Sequence, residues 1–114
     1  MVNTYEEAVR EQRTRALDRA NEVRTRRKEI KEELASRELE LAELITAPPA
    51  EVESAKVGDV LEWMPGIGRT RVKKILADTG VGPGVLMGHL SYATRMRICS
   101  RLEIHAPVRQ RWTG

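Results

Sequence analysis

Four cations, Arg69, Arg71, Lys73 and Lys74, and the hydroxyl of Thr70 follow directly on Met64-Pro65-Gly66-Ile67-Gly68. Pro65 cannot continue a helix begun before it, and the two glycines permit backbone conformations that a side chain would forbid. The pattern predicts a short helix over 58–64, a tight hairpin, and a second helix opening at Gly68 and running to about Thr79. A helix that opens there turns unpaired N–H groups and the positive end of its dipole outward, which favours a phosphate. Leu61, Met64, Ile67, Val72, Ile75 and Leu76 supply the apolar contacts that hold the two helices together. The expected chemistry is the gripping of an anionic backbone. Gly66, Ile67 and Gly68 are expected to offer N–H groups, with Arg69, Arg71, Lys73 and Lys74 as charge partners.

The apolar-x-x-apolar-Pro-Gly-x-Gly order, followed by apolar residues at helical spacing, is similar to the helix-hairpin-helix signature of many DNA-binding proteins. No rival chemistry has comparable support. His89, Cys99 and His105 lack the close paired spacing of a zinc site. No Ser/His/acid set sits in a nucleophile context, and no Walker-type glycine loop is present. The expectation is a protein without catalytic residues, metal or cofactor, and without a small-molecule substrate. Cys99, the single cysteine, excludes an internal disulfide framework, fits a reducing compartment, and reads as a small apolar residue on a packed helix face.

Charge is unevenly distributed over the 114 residues. Residues 57–114 hold nine Lys/Arg against four acids, whereas residues 1–56 hold eleven against thirteen. Positive charge thus gathers around the hairpin, as a polyanion partner requires. With 32% charged residues, 4% aromatics and no Phe, a large core is not expected. No apolar run approaches a membrane span, and the N-terminus lacks the apolar segment of a secretory signal.

The elements that must position the hairpin are helical. From Thr4 to Ile45 there is no Pro or Gly, and Asn3 with Glu6, or Thr4 with Glu7, resembles a capping box. At about 100° per residue, Tyr5, Val9, Ala16, Ala20, Val23, Ile30, Leu34, Leu41 and Ile45 share one face. Arg10, Arg13, Arg24, Lys28 and Lys31 form one basic flank; Arg15, Arg19, Arg26 and Arg37 form the other. This predicts one long amphipathic helix over residues 1–46, its sparse N-terminal half projecting and its C-terminal half packed. The projecting arginines are open either to DNA contact or to pairing along a solvated face, the commoner arrangement. Pro48 and Pro49 end the helix, and residues 47–56 read as a linker. A DNA-binding domain is expected over 57–104, with a brief helical turn at Val85-Leu86-Met87. A last helix is expected from an N-cap at Ser91 to about Leu102, with Tyr92, Met96, Cys99 and Leu102 inward. Residues 105–114, with Arg109, Arg111 and Trp112, read as a flexible basic tail.

This order of parts, with Met64-Pro65-Gly66-Ile67-Gly68-Arg69-Thr70-Arg71-Val72-Lys73-Lys74-Ile75 and then Thr79-Gly80-Val81, resembles the actinobacterial integration host factor family. The resemblance implies an all-α fold with a helix-two-turn-helix module. It also implies a cytoplasmic, nucleoid-associated activity, in a bacterium or in the host of a phage, of binding and shaping duplex DNA with little sequence preference. The long helix lacks a steady second apolar heptad position, which disfavours a coiled coil, so a monomer in solution is expected, with more than one copy possible on DNA. Two departures stand out. Val85, Leu86, Met87 and Gly88 occupy the place of an arginine-rich loop, leaving Arg95, Arg97 and Arg101 of the last helix as the residues able to compensate. Val72 replaces a small alanine, which predicts slightly wider helix packing. Arg95 and Arg97 therefore join the candidate DNA contacts. An RNA- or ribosome-associated role of the same module, and a protein-interaction scaffold built on the long helix, remain the alternatives.

Overall fold

The computed structural model describes residues 4–103. The capping position Asn3, His105 and the basic tail with Arg109, Arg111 and Trp112 lie outside the described residues. The fold is all-α: α1 (Thr4–Ser36), α2 (Leu41–Thr46), α3 (Ala50–Glu53), α4 (Val57–Glu62), α5 (Arg69–Thr79), a 3₁₀ turn at Met87–His89, and α6 (Tyr92–Arg101).

The first helix is shorter than the periodicity predicts. It closes at Ser36 in a Schellman arrangement: Arg37 takes a left-handed φ of 66°, its N–H meets Leu34 O, and the Glu38 N–H meets Glu33 O at 2.9 Å. A non-glycine residue pays about 1–2 kcal/mol for that conformation. The compensation lies in α2, where Leu41, Ala42, Leu44 and Ile45 are all buried. One straight helix could bury a single stripe; a separate short helix buries four consecutive-turn residues. Up to residue 29, by contrast, α1 buries no side chain, and Tyr5 and Leu17 are exposed. Its N-terminal half projects, as its thin stripe predicts. At about 1.5 Å per residue α1 spans about 50 Å, which stretches the molecule to 67 × 35 × 26 Å.

The expected linker is packed structure. Val52 of α3 is fully buried, and Arg27 of α1 donates to Glu51 O at 2.8 Å and to Ser54 Oγ at 2.9 Å. Arg26, on the other side, reaches Glu29, Glu33 and Glu51. Residues 55–57 then pair with the loop 85–87 through Val57 N–H to Val85 O (3.0 Å) and Met87 N–H to Ala55 O (2.8 Å). Met87 is wholly buried, so the segment expected as a helical turn at 85–87 forms its 3₁₀ turn two residues later.

One core joins these parts. Ile30 and Leu34 of α1 meet Leu44 and Ile45 of α2, Val60 and Leu61 of α4, Val72 and Ile75 of α5, and Ile98, Cys99 and Leu102 around α6. Ser91 caps α6 by accepting from the Thr94 N–H. Cys99 and Leu102 face inward as expected, but Tyr92 is 65% exposed, and Ile98 and Arg95 are buried instead. Burial pushes the Cys99 thiol above its ordinary pKa.

Candidate nucleic-acid interface

The hairpin forms as its sequence dictates. α4 unwinds through Trp63 and Met64, and Gly66 takes φ +94°, a conformation that requires glycine. The Ile67 N–H closes the turn on Met64 O at 3.3 Å. Gly68, the N-cap of α5, sits at φ −87° and ψ 165°. That is ordinary extended backbone, so the conformational need for glycine falls on Gly66 alone. A Cβ placed on either residue would meet nothing within 4 Å. Both positions face open space.

The first turn of α5 is open. No side chain caps it and no acid lies within it. The Val72 N–H bonds Gly68 O. Among the described residues, the N–H groups of Gly66, Gly68, Arg69, Thr70 and Arg71 meet no acceptor. Ile67 is the exception among the residues expected to donate. Its N–H is used within the turn, and its half-buried side chain packs on the core as an anchor.

Around this turn Arg69, Thr70, Arg71, Lys73 and Lys74 are all exposed. Arg69 Nε lies 3.4 Å from Glu62 Oε1, and Arg71 Nη2 donates to Leu102 O at the end of α6 at 3.3 Å. Lys73 and Lys74 have no carboxylate within ion-pair distance among the described residues. Arg97 is exposed on α6, held by Thr94 Oγ1 at 3.0 Å.

Arg95 is a correction. It is 9% exposed, and its guanidinium donates to Ile45 O and to Met87 O, both at 2.7 Å. It ties the end of α2 to the buried loop and leaves the surface set. The inward position was readable from helical spacing, since residue 95 shares a face with residues 98, 99 and 102. An arginine on that face reads as solvated until its carbonyl acceptors are seen.

The second helix packs where Val72 is matched by a glycine. A Cβ on Gly58 of α4 would lie 3.3 Å from Leu76 Cδ1 and 3.6 Å from Val72 Cγ1. The small residue expected on α5 stands on α4 instead, so the wider packing that Val72 predicts has a direct counterweight. Among the described residues no group of three or more His, Cys, Asp or Glu side chains is arranged to hold a metal ion. No helix there is long and apolar enough to cross a membrane.

The fold is similar to that of sIHF, solved bound to an 8-base-pair palindromic DNA, with a TM-score of 0.61 and 28% identity over 75% of this chain and 94% of that one. The chain thus has a fold of integration host factor type, spanning nearly all of that protein. No protein-family model matches the chain. No curated protein matches it in sequence.

Proposed function

We propose that this protein binds duplex DNA chiefly through the phosphate backbone, with little sequence preference, as a non-catalytic, nucleoid-associated architectural protein of integration host factor type. The observation that carries the reading is the uncapped first turn of α5. Its N–H groups lack acceptors, no acid stands in that turn, and exposed Lys73 and Lys74 follow at once. Gly66, Gly68, Arg69, Thr70 and Arg71 would present main-chain donors to a phosphate, and the cations would hold its neighbours. Arg97 is the remaining candidate on α6. The likeness to a DNA-bound protein supports the same partner.

The test is a titration on several unrelated duplexes at several salt concentrations, with structured RNA as competitor. Each neutralised phosphate releases counterion, with a slope in log affinity against log salt near −0.9 per contact. The four hairpin cations and Arg97 predict a slope of about −3 to −5. Replacing Lys73 or Lys74 with Ala should flatten it by about 0.9 and weaken every duplex alike. A shallow slope, strong discrimination among duplexes, or preference for RNA would refute the proposal.

A further inference from the structure

The two basic flanks of α1 differ in how far they are paired. Arg15 pairs with Glu11, and Arg26 pairs with Glu29, Glu33 and Glu51. Those two arginines belong to one flank, on which Arg19 and Arg37 have no carboxylate within 4 Å among the described residues. On the opposite flank, Arg24, Lys28 and Lys31 have no carboxylate within 4 Å among the described residues. They line a groove of about 760 Å³ between α1 and the length of α4, whose far wall carries Lys56, Asp59 and Trp63. Lys31 Nζ stands 5.2 Å from the centre of the Trp63 ring, which anchors that lysine without cancelling its charge. Arg24 meets only the neutral Asn21 side chain. Glu62, the other acid of the groove, is taken up by Arg69. The groove therefore holds Arg24, Lys28, Lys31 and Lys56, besides Arg27 whose guanidinium is bonded to neutral acceptors, facing one free acid, Asp59, and its lining ends one residue before Met64 of the hairpin.

We infer that this groove is a second phosphate-contacting strip, continuous with the hairpin, through which α1 lies against the backbone of the same duplex DNA. The inference rests on the DNA-binding reading of the hairpin. A polyanion is the partner that fits unpaired cations held on two facing walls, because its gain comes from counterion release and needs no shape-matched pocket. Arg27 takes no part, since its guanidinium is committed to Glu51 O and Ser54 Oγ. α1 would then act as more than a support for the core: it lengthens the footprint.

The experiment compares three full-length proteins with the parent in salt-dependent duplex titrations, with circular dichroism to confirm folding. One is Arg24→Gln/Lys28→Gln/Lys56→Gln, altering exposed side chains only. The second is Lys73→Ala/Lys74→Ala, and the third is Asp59→Asn. The triple variant is expected to flatten the salt slope by about 2–3 and to weaken binding about tenfold or more near 0.1 M salt. Asp59→Asn is expected to tighten binding, an effect that loss of folding cannot produce. If the triple variant keeps the parental slope and affinity while the lysine pair weakens binding, the groove is overturned and the hairpin reading stands. If neither changes binding, or the parent binds no duplex, both fail.

Discussion

Gly66 and Gly68 look equivalent in the sequence, and the structure makes them opposite experiments. Gly66 lies at φ +94°, so alanine there is strained whatever space surrounds it. Residues held in sparsely populated backbone regions cost about 1–3 kcal/mol. For a domain of this size, each kcal/mol lowers Tm by roughly 4–8 °C. Gly66→Ala should therefore lose about 4–24 °C, and any fall in DNA affinity would be confounded with the damaged turn. Gly68→Ala differs in kind. At φ −87° and ψ 165° alanine is unstrained, and its Cβ meets nothing within 4 Å. Loss of a good N-cap residue and the reduced entropy of the unfolded chain act in opposite directions, each worth under about 1 kcal/mol. Tm should move by only a few degrees. The new methyl group nevertheless stands at the open end of α5, where a phosphate must approach the main chain. Loss of one charge-assisted hydrogen bond is worth about 1.5–3 kcal/mol, or about ten- to a hundredfold in Kd. Fluorescence anisotropy on a labelled duplex, beside thermal melts, reads both quantities. A Gly68→Ala protein with parental stability and parental affinity would refute close approach of phosphate to this backbone.

Three further outcomes follow from the packing. Arg95→Met should cost about 2–4 kcal/mol, because two carbonyls lose a charged donor, while the folded fraction keeps its DNA affinity; normal stability with weakened binding would return Arg95 to the interface. Deleting residues 1–20 should leave Tm within about 4 °C, since the first buried side chain is Ile30 and the ties through Arg26 and Arg27 survive; an unfolded product would show that the projecting segment is structural. Because burial raises the Cys99 thiol pKa, its thiolate is scarce at pH 8 and becomes abundant only as pH rises past that elevated value. Native protein should therefore react slowly with a thiol reagent and rapidly in denaturant, and equal rates would refute its burial.

How much was legible depends on whether the signal was local. The hairpin, the α5 start at Gly68, its Gly80 stop at φ +73° and the Ser91 cap are all fixed by nearby residues, and each stands where the sequence puts it. The breaks that were missed have tertiary causes. Nothing in Ser36-Arg37-Glu38 announces a left-handed residue; the turn exists because it lets four residues of α2 into the core. Residues 47–56 look like a linker because two prolines and polar residues surround Val52, whose burial depends on partners distant in sequence. Within the site, residue types identified the cations, but their acceptors could not be read. Whether an arginine faces solvent or a buried carbonyl is decided by groups up to 50 residues away, as Arg95 and Ile45 demonstrate.

That sorting of cations follows from their chemistry. A guanidinium offers five donors in a rigid fork, so one side chain can hold two carbonyls or several carboxylates in fixed geometry. Arg26 holds carboxylates and Arg95 two carbonyls in this way, Arg27 holds a carbonyl and a hydroxyl, and Arg71 reaches the end of α6 with one arm. An ammonium is a compact, strongly hydrated point charge that gains little from such fixed sites and suits a mobile phosphate track. Lys28, Lys56, Lys73 and Lys74 are accordingly exposed and without carboxylate partners among the described residues. Formal net charge, +3 for the chain, therefore poorly describes what a polyanion would meet. It subtracts acids such as Glu29 and Glu33 that already neutralise Arg26, and it counts a buried Arg95 as though it were available. The potential that matters is set by the cations left uncompensated along one face. For the proposed DNA contacts those are Arg24, Lys28, Lys31 and Lys56 in the α1 groove, with Lys73 and Lys74 on α5.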